Sequence, residues 1–142
     1  MLAKKRNLAQ VEFRQAPNRK IAELLSASTV GTEQVTFRIV DMDPASQQKP
    51  RHPHIHQTFE ETMFVLNGEG RLWIEGELYK LSEGDALLVP RGLCHLVVNA
   101  IEIPLRLACF FPIADGVGVD QQEREDILLI PRQLLENRTF EA

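Results

Sequence analysis

Short apolar runs, broken at near-regular intervals by turn-forming residues, restrict the fold of this chain more than any other feature. Residues 35–40, 61–66, 71–74, 86–89, 96–98 and 105–111 form such runs. Between them stand Asp43-Pro44, Asn67-Gly68-Glu69-Gly70, Glu75-Gly76-Glu77, Ser82-Glu83-Gly84-Asp85, Pro90-Arg91-Gly92 and Asn99-Ala100. Strands punctuated this way predict an all-β sandwich or closed barrel rather than alternating strand and helix. Asn67-Gly68 predicts a hairpin turn, because both residues tolerate positive φ. Helix is expected only towards the ends. One candidate covers residues 18–26, with Ile21, Leu24 and Leu25 on one side. A second covers residues 132–137, opened by Pro131 and packed through Leu134 and Leu135. Residues 115–126 read as a loop. With no internal repeat or low-complexity block, the expectation is one domain over residues 1–142, its barrel core at about 30–114 and a tail with a short helix at about 131–137.

Composition excludes several functional classes. A chain of 142 residues is long enough to bury a core without staples. A net charge of -4 and a pI near 5.6 argue against nucleic acid or an anionic membrane as partner. No apolar run approaches the roughly 18 residues needed to span a bilayer. Lys4-Lys5-Arg6 is followed by no apolar segment of the signal-peptide kind, so the expected compartment is the cytosol. Cys94 and Cys109 form no CxxC pair and are expected as buried free thiols.

The chemistry sits in two places. His54-Ile55-His56 is followed by Glu61, and His95 stands alone further on. Residues two apart on a strand share a face, so His54 and His56 can aim at one point. Imidazole and carboxylate are ligands that iron, manganese, nickel and zinc accept as divalent ions. His52 shares the parity of His54 and His56, but it precedes Pro53, which places it in extended or turn geometry at a rim. Glu61 has the opposite parity and needs a turn or bulge before it, for which Gln57-Thr58 is the candidate.

These residues resemble the two motifs of the cupin superfamily. Gly84, Pro90, Gly92, His95 and Asn99 match its second motif in order and spacing, and His54, His56, Glu61 and Gly68 match its first. One departure is visible: the leading glycine of the first motif falls on Gln48, which puts the loop entering the site in question. The resemblance implies a small single-domain cupin, a double-stranded β-helix or jelly-roll barrel. It implies a divalent metal held by His54, His56, Glu61 and His95, with iron or manganese first and nickel, zinc or copper as alternatives. Asn99 is expected to tie down a turn.

What the resemblance implies for activity is broader. Cupins with such a shell carry out dioxygenation, decarboxylation, isomerisation or epimerisation. The leading expectation is a metal-dependent dioxygenase acting on a small molecule that offers two oxygen donors. An isomerase or decarboxylase, or a binding module without turnover, are the alternatives. Arg38 and Arg106 are candidates to grip a substrate carboxylate if they face inward, with outward solvated arginines the competing reading. Phe37, Met63, Trp73, Phe110 and Phe111 are candidate lining residues, with plain core as the alternative. Small cupins commonly pair through edge strands, so a homodimer is expected, using residues 2–14 or 30–40.

Overall fold

The computed structural model describes residues 2–118 and 121–139. In chain order it contains β1 (Arg14–Ala16), β2 (Arg19–Leu25), α1 (Ala27–Val30), β3 (Thr36–Met42), β4 (His54–His56), β5 (Glu61–Asn67) and β6 (Glu69–Ile74). There follow β7 (Glu77–Ser82), β8 (Ala86–Val89), β9 (His95–Asn99), β10 (Leu105–Phe111), β11 (Gln121–Glu123) and α2 (Pro131–Glu136). The strands form two antiparallel sheets, a six-stranded one in the order β1-β2-β3-β10-β5-β8 and a five-stranded one in the order β11-β4-β9-β6-β7. The architecture is a jelly-roll sandwich. No helix among the described residues is long and apolar enough to cross a membrane.

Alternation decides what enters the space between the sheets. Along β5, Glu61, Met63 and Val65 are buried while Thr62, Phe64 and Leu66 are exposed. Register stacks these into layers: Cys109 of β10 lies between Arg38 of β3 and Met63, and Leu107 lies between Val40 and Val65. The facing sheet contributes Leu72 and Leu81, which join the same core with Leu105 and Leu107. Fully burying a side chain of this size contributes roughly 1.5–3 kcal/mol. A smaller cluster lies behind the five-stranded sheet, where Trp73, Leu78, Leu96 and Val98 pack under Leu129 and Leu134. On the outer face of the six-stranded sheet, Leu8, Val11 and Phe13 cover Ala22, Leu24, Ile39 and Ala108. Of the segments expected to exchange between subunits, the N-terminal one is therefore laid over the chain's own sheet.

Three local expectations are corrected. Residues 18–26 are not a helix; Arg19–Leu25 is strand β2, paired along β3. Ile21 enters the central core while Ala22 and Leu24 enter the outer cluster, so the strand is buried on both faces. Apolar residues on both faces imitate helical spacing over so short a run. Asn67-Gly68 is not a hairpin turn either, since β5 and β6 belong to different sheets and the chain crosses between them at Gly68, with φ 95°. A two-residue hairpin does form at Glu75-Gly76, joining β6 to β7 with φ 46° and 87°, the all-positive geometry of a type I′ turn. Gly70 also answers to crowding: a Cβ there would lie 2.7 Å from the Val98 carbonyl oxygen. Thirdly, the expected loop at 115–126, of which residues 119 and 120 lie outside the described residues, contains β11, paired with β4. The C-terminal helix forms at Pro131–Glu136, with Leu134 buried.

Candidate metal centre

Two sheets meet at the site. His54 and His56 point from β4 to one side, and His95, the first residue of β9, lies directly across from His54. Glu61 arrives from the facing sheet as the first residue of β5. The chain bends at Gln57 and Thr58 on its way between the sheets, which removes the parity conflict between the histidines and the acid. One ligand atom from each of His54, His56, Glu61 and His95 falls within 4.8 Å of the others. Glu61 Oε1 lies 3.5 Å from His56 Nε2 and 3.3 Å from His95 Nε2. Glu61, His56 and His95 are buried, the last at 2% exposure.

Such a cluster needs a reason to exist, because buried polar groups destabilise unless partnered. The Nδ1 atoms of His54 and His56 are buried without a hydrogen-bond partner. His95 Nδ1 lies 3.0 Å from the Leu93 carbonyl oxygen, which can only accept, so Nδ1 carries the proton. In the neutral ring, Nε2 then presents a lone pair towards the Glu61 carboxylate. Two acceptors face each other, and a proton or a cation must lie between them. Burial, reinforced by the neighbouring His95, pushes the His54 pKa well below the ordinary histidine value and keeps the ring in its neutral, ligating form. Burial pushes the Glu61 carboxyl up, but the His56 and His95 rings within hydrogen-bonding reach outweigh it and hold the group below the ordinary range. Three neutral imidazoles and one carboxylate fit a divalent first-row metal.

The remaining candidates divide by the direction they face. Arg38 and Met63 line the cavity in front of the four ligands. Arg38 is held there by Glu23, whose Oε1 accepts from its Nε at 3.1 Å and Nη2 at 3.0 Å, and it lies over the Phe111 ring. Phe111 is in the wall, with its ring centroid 5.8 Å from that of His56. Phe37 and Arg38 are strand neighbours and cannot share a face. Phe37 stacks on the exposed Phe110 outside the sheet. Arg106 also turns away, donating from Nε and Nη2 to Asp41 at 2.8 and 2.9 Å. Trp73 packs in the cluster beneath α2. Phe37, Phe110, Arg106 and Trp73 are therefore corrected as lining candidates. His52 stays outside the ligand group, its Nδ1 2.7 Å from the Ile127 carbonyl oxygen.

Both cysteines are free and buried. Cys94 lies behind His95, whereas Cys109 is in the cavity wall, its thiol pushed up by burial and by the Glu61 charge. Among the wall residues that escaped sequence reasoning are three polar ones, Arg19, Arg51 and Gln121. Arg19 was hidden by the helical reading of its segment. Its signal was its shared parity with Ile21 on a strand.

Residues 38–111 match the family model for the cupin domain. The chain belongs to the cupin family. Within this cupin, the question raised by Gln48 resolves: its Nε2 donates to the Asp43 carbonyl and its Oε1 accepts from the Asn99 N–H. The backbone at Gln48 is extended, with φ -75°, so no glycine is required there. Asn99 Nδ2 donates to the carbonyls of Asp43 and Ile103, and its Oδ1 accepts from Ile101 N–H, fastening the loops at the end of β9.

Among known proteins, the cupin is 44% identical over 64 residues to an uncharacterised protein of Aquifex aeolicus, covering 45% of this chain and 53% of that one. It thus spans about half the length of that relative. Many solved structures resemble it in fold. A variant of the oxalate decarboxylase of Bacillus subtilis superposes with TM-score 0.67 at 18% identity, covering 82% of this chain and 31% of that one. KdgF from a Halomonas species superposes with TM-score 0.66 at 21% identity, covering 81% of this chain and 98% of that one.

Proposed function

We propose that this cupin is a metal-dependent enzyme acting on a small oxygenated organic molecule, and that the reaction is a dioxygenation. The observation that carries the reading is the placement of four buried ligand side chains beside a cavity of about 80 Å³. At ~10–15 Å³ for one water, such a space takes roughly half a dozen waters, or a ligand of comparable size. A metal bound by His54, His56, Glu61 and His95 supplies Lewis acidity and, if redox-active, electrons for dioxygen. The protein's own part is to orient and to exclude. The Leu93 carbonyl fixes the His95 tautomer, while Met63 and Phe111 give the cavity wall apolar surface. Iron and manganese are the first metals to try. The B. subtilis oxalate decarboxylase carries Mn(II) centres.

Decarboxylation or isomerisation is the second reading, and one feature separates it from the first. Redox-neutral reactions of that kind move a proton, for which a carboxylate free of the metal is a common carrier beside metal-bound water. Among the described lining residues, Glu61 is the only carboxylate, and it belongs to the ligand group. That favours dioxygenation. The test is oxygen uptake by protein reconstituted with Fe(II) or Mn(II), over a panel of 1,2-diols, hydroxy acids and β-diketones. Substrate-dependent uptake supports the dioxygenase; turnover without uptake moves the assignment to the second reading. A homodimer is part of the same proposal, supported by the exposed Phe64, Leu66, Leu88 and Phe110 on the six-stranded sheet. Sedimentation at micromolar concentration tests it, and a monomeric mass refutes it.

A further inference from the structure

Among the arginines of the six-stranded sheet and the loop before β4, four divide into two kinds. Arg38 and Arg106 each have a carboxylate, Glu23 and Asp41 respectively. Arg19 and Arg51 have none within ion-pairing distance among the described residues, yet both line the cavity in front of the metal ligands. The Arg19 side chain donates from Nη1 to the Pro17 carbonyl at 2.8 Å, a neutral acceptor rather than a carboxylate. Arg51 is fixed by its backbone, which exchanges hydrogen bonds of 3.0 and 2.8 Å with Leu129.

Two cations in one partly buried wall repel each other and lose hydration. The effect is visible on Arg19, whose pKa is lowered to about 10 by burial and then by the nearby charge of Arg51. Arg51 is likewise lowered by burial, with Glu123 acting in the other direction. Glu61 is near enough to Arg19 to act on it, but its oxygens face His56 and His95. A divalent metal would add further positive charge to the same cavity. Nothing in the fold of β2 or of the loop at Arg51 demands a guanidinium there, since neither makes a structural ion pair.

We propose that Arg19 and Arg51 together receive a carboxylate of the substrate, so that the molecule bound in front of His54, His56, Glu61 and His95 is a small organic acid. Guanidinium donors match a carboxylate in bidentate geometry, and an anion between two such groups replaces their repulsion with attraction. A small acid of a few carbon atoms fits the cavity beside the ligands. A second oxygen function on the same molecule is what reaches the metal ligands. This inference rests on the cavity being a substrate site, the reading proposed above.

The experiment is calorimetric titration of the full chain, metal-free and Mn(II)-loaded, with malonate and succinate and with their uncharged diamides. The expected result is that at least one dicarboxylate binds metal-free protein at least tenfold more tightly than its diamide. That preference should shrink at least tenfold in Arg19→Gln and in Arg51→Gln and persist in Arg106→Gln, with melting curves checking that each variant is folded. Equal affinity for acid and diamide in the unaltered protein overturns the proposal without reference to any variant. So does tighter binding of inorganic phosphate than of either dicarboxylate. If Mn(II) fails to bind while the arginine-dependent preference remains, the metal reading falls and this inference stands. If Mn(II) binds and no preference is seen, the reverse holds.

Discussion

The two ends of the space between the sheets are built from opposite materials. At one end Val65, Leu72, Leu81 and Leu105 are buried in the apolar core. At the other, three histidines, a glutamate and three arginines share a cavity. The first end gains from burial alone. The second places groups out of water that repel, or that lack partners, until something binds among them. One end of the barrel therefore carries the fold and the other carries the chemistry, and each should be breakable without the other.

The largest expected effect is at the apolar end. Leu81→Ala, at a fully buried position, should lower stability by about 2–5 kcal/mol in urea unfolding. The folded fraction should still bind Mn(II) with unchanged stoichiometry; loss of binding there would mean that the two ends are coupled. Metal removal tests the polar end. Protein held at a free metal concentration ~100 times its dissociation constant should be stabilised by about 2.7 kcal/mol over the chelated form. No shift in melting temperature on chelation would leave the buried cluster without its explanation. Asn99→Ala should cost about 1–3 kcal/mol by stranding the Ile101 N–H and the carbonyls of Asp43 and Ile103. Because Asn99 fastens loops beside β9 rather than touching the ligands, metal affinity should change little. The smallest effect is expected outside both ends. Phe110→Ala should cost about 0.5–1.5 kcal/mol through its stacking on Phe37, and should alter neither metal nor dicarboxylate affinity.

Legibility from sequence followed the same division. The ligand quartet could be read because His54 and His56 share strand parity and because the spacings around Gly84, Pro90, Gly92 and His95 match a known pattern. The strands that carry alternating burial, such as β5, could be read for the same reason. β2 was misread because burial on both faces erases alternation, and Arg19 was lost with it. At Asn67-Gly68 positive φ was read correctly for Gly68 alone and the hairpin wrongly, since local chemistry does not state which sheet the next strand joins. β7 was passed over between its flanking turns, although Leu78 and Leu81 are both buried. Whether Arg38 or Arg106 faces inward required register, and the two arginines came out on opposite sides of one sheet.

The most direct measurement is metal content per chain by mass spectrometry after loading with Mn(II) or, anaerobically, Fe(II), and desalting, for the unaltered protein beside His95→Ala. About one metal ion per folded chain is expected in the former, with affinity in the latter reduced by more than the ~10–100-fold typical of losing a supporting partner. Circular dichroism of the variant should show the barrel intact. Equal metal retention by both proteins, or none by either, would contradict the centre described at His54, His56, Glu61 and His95.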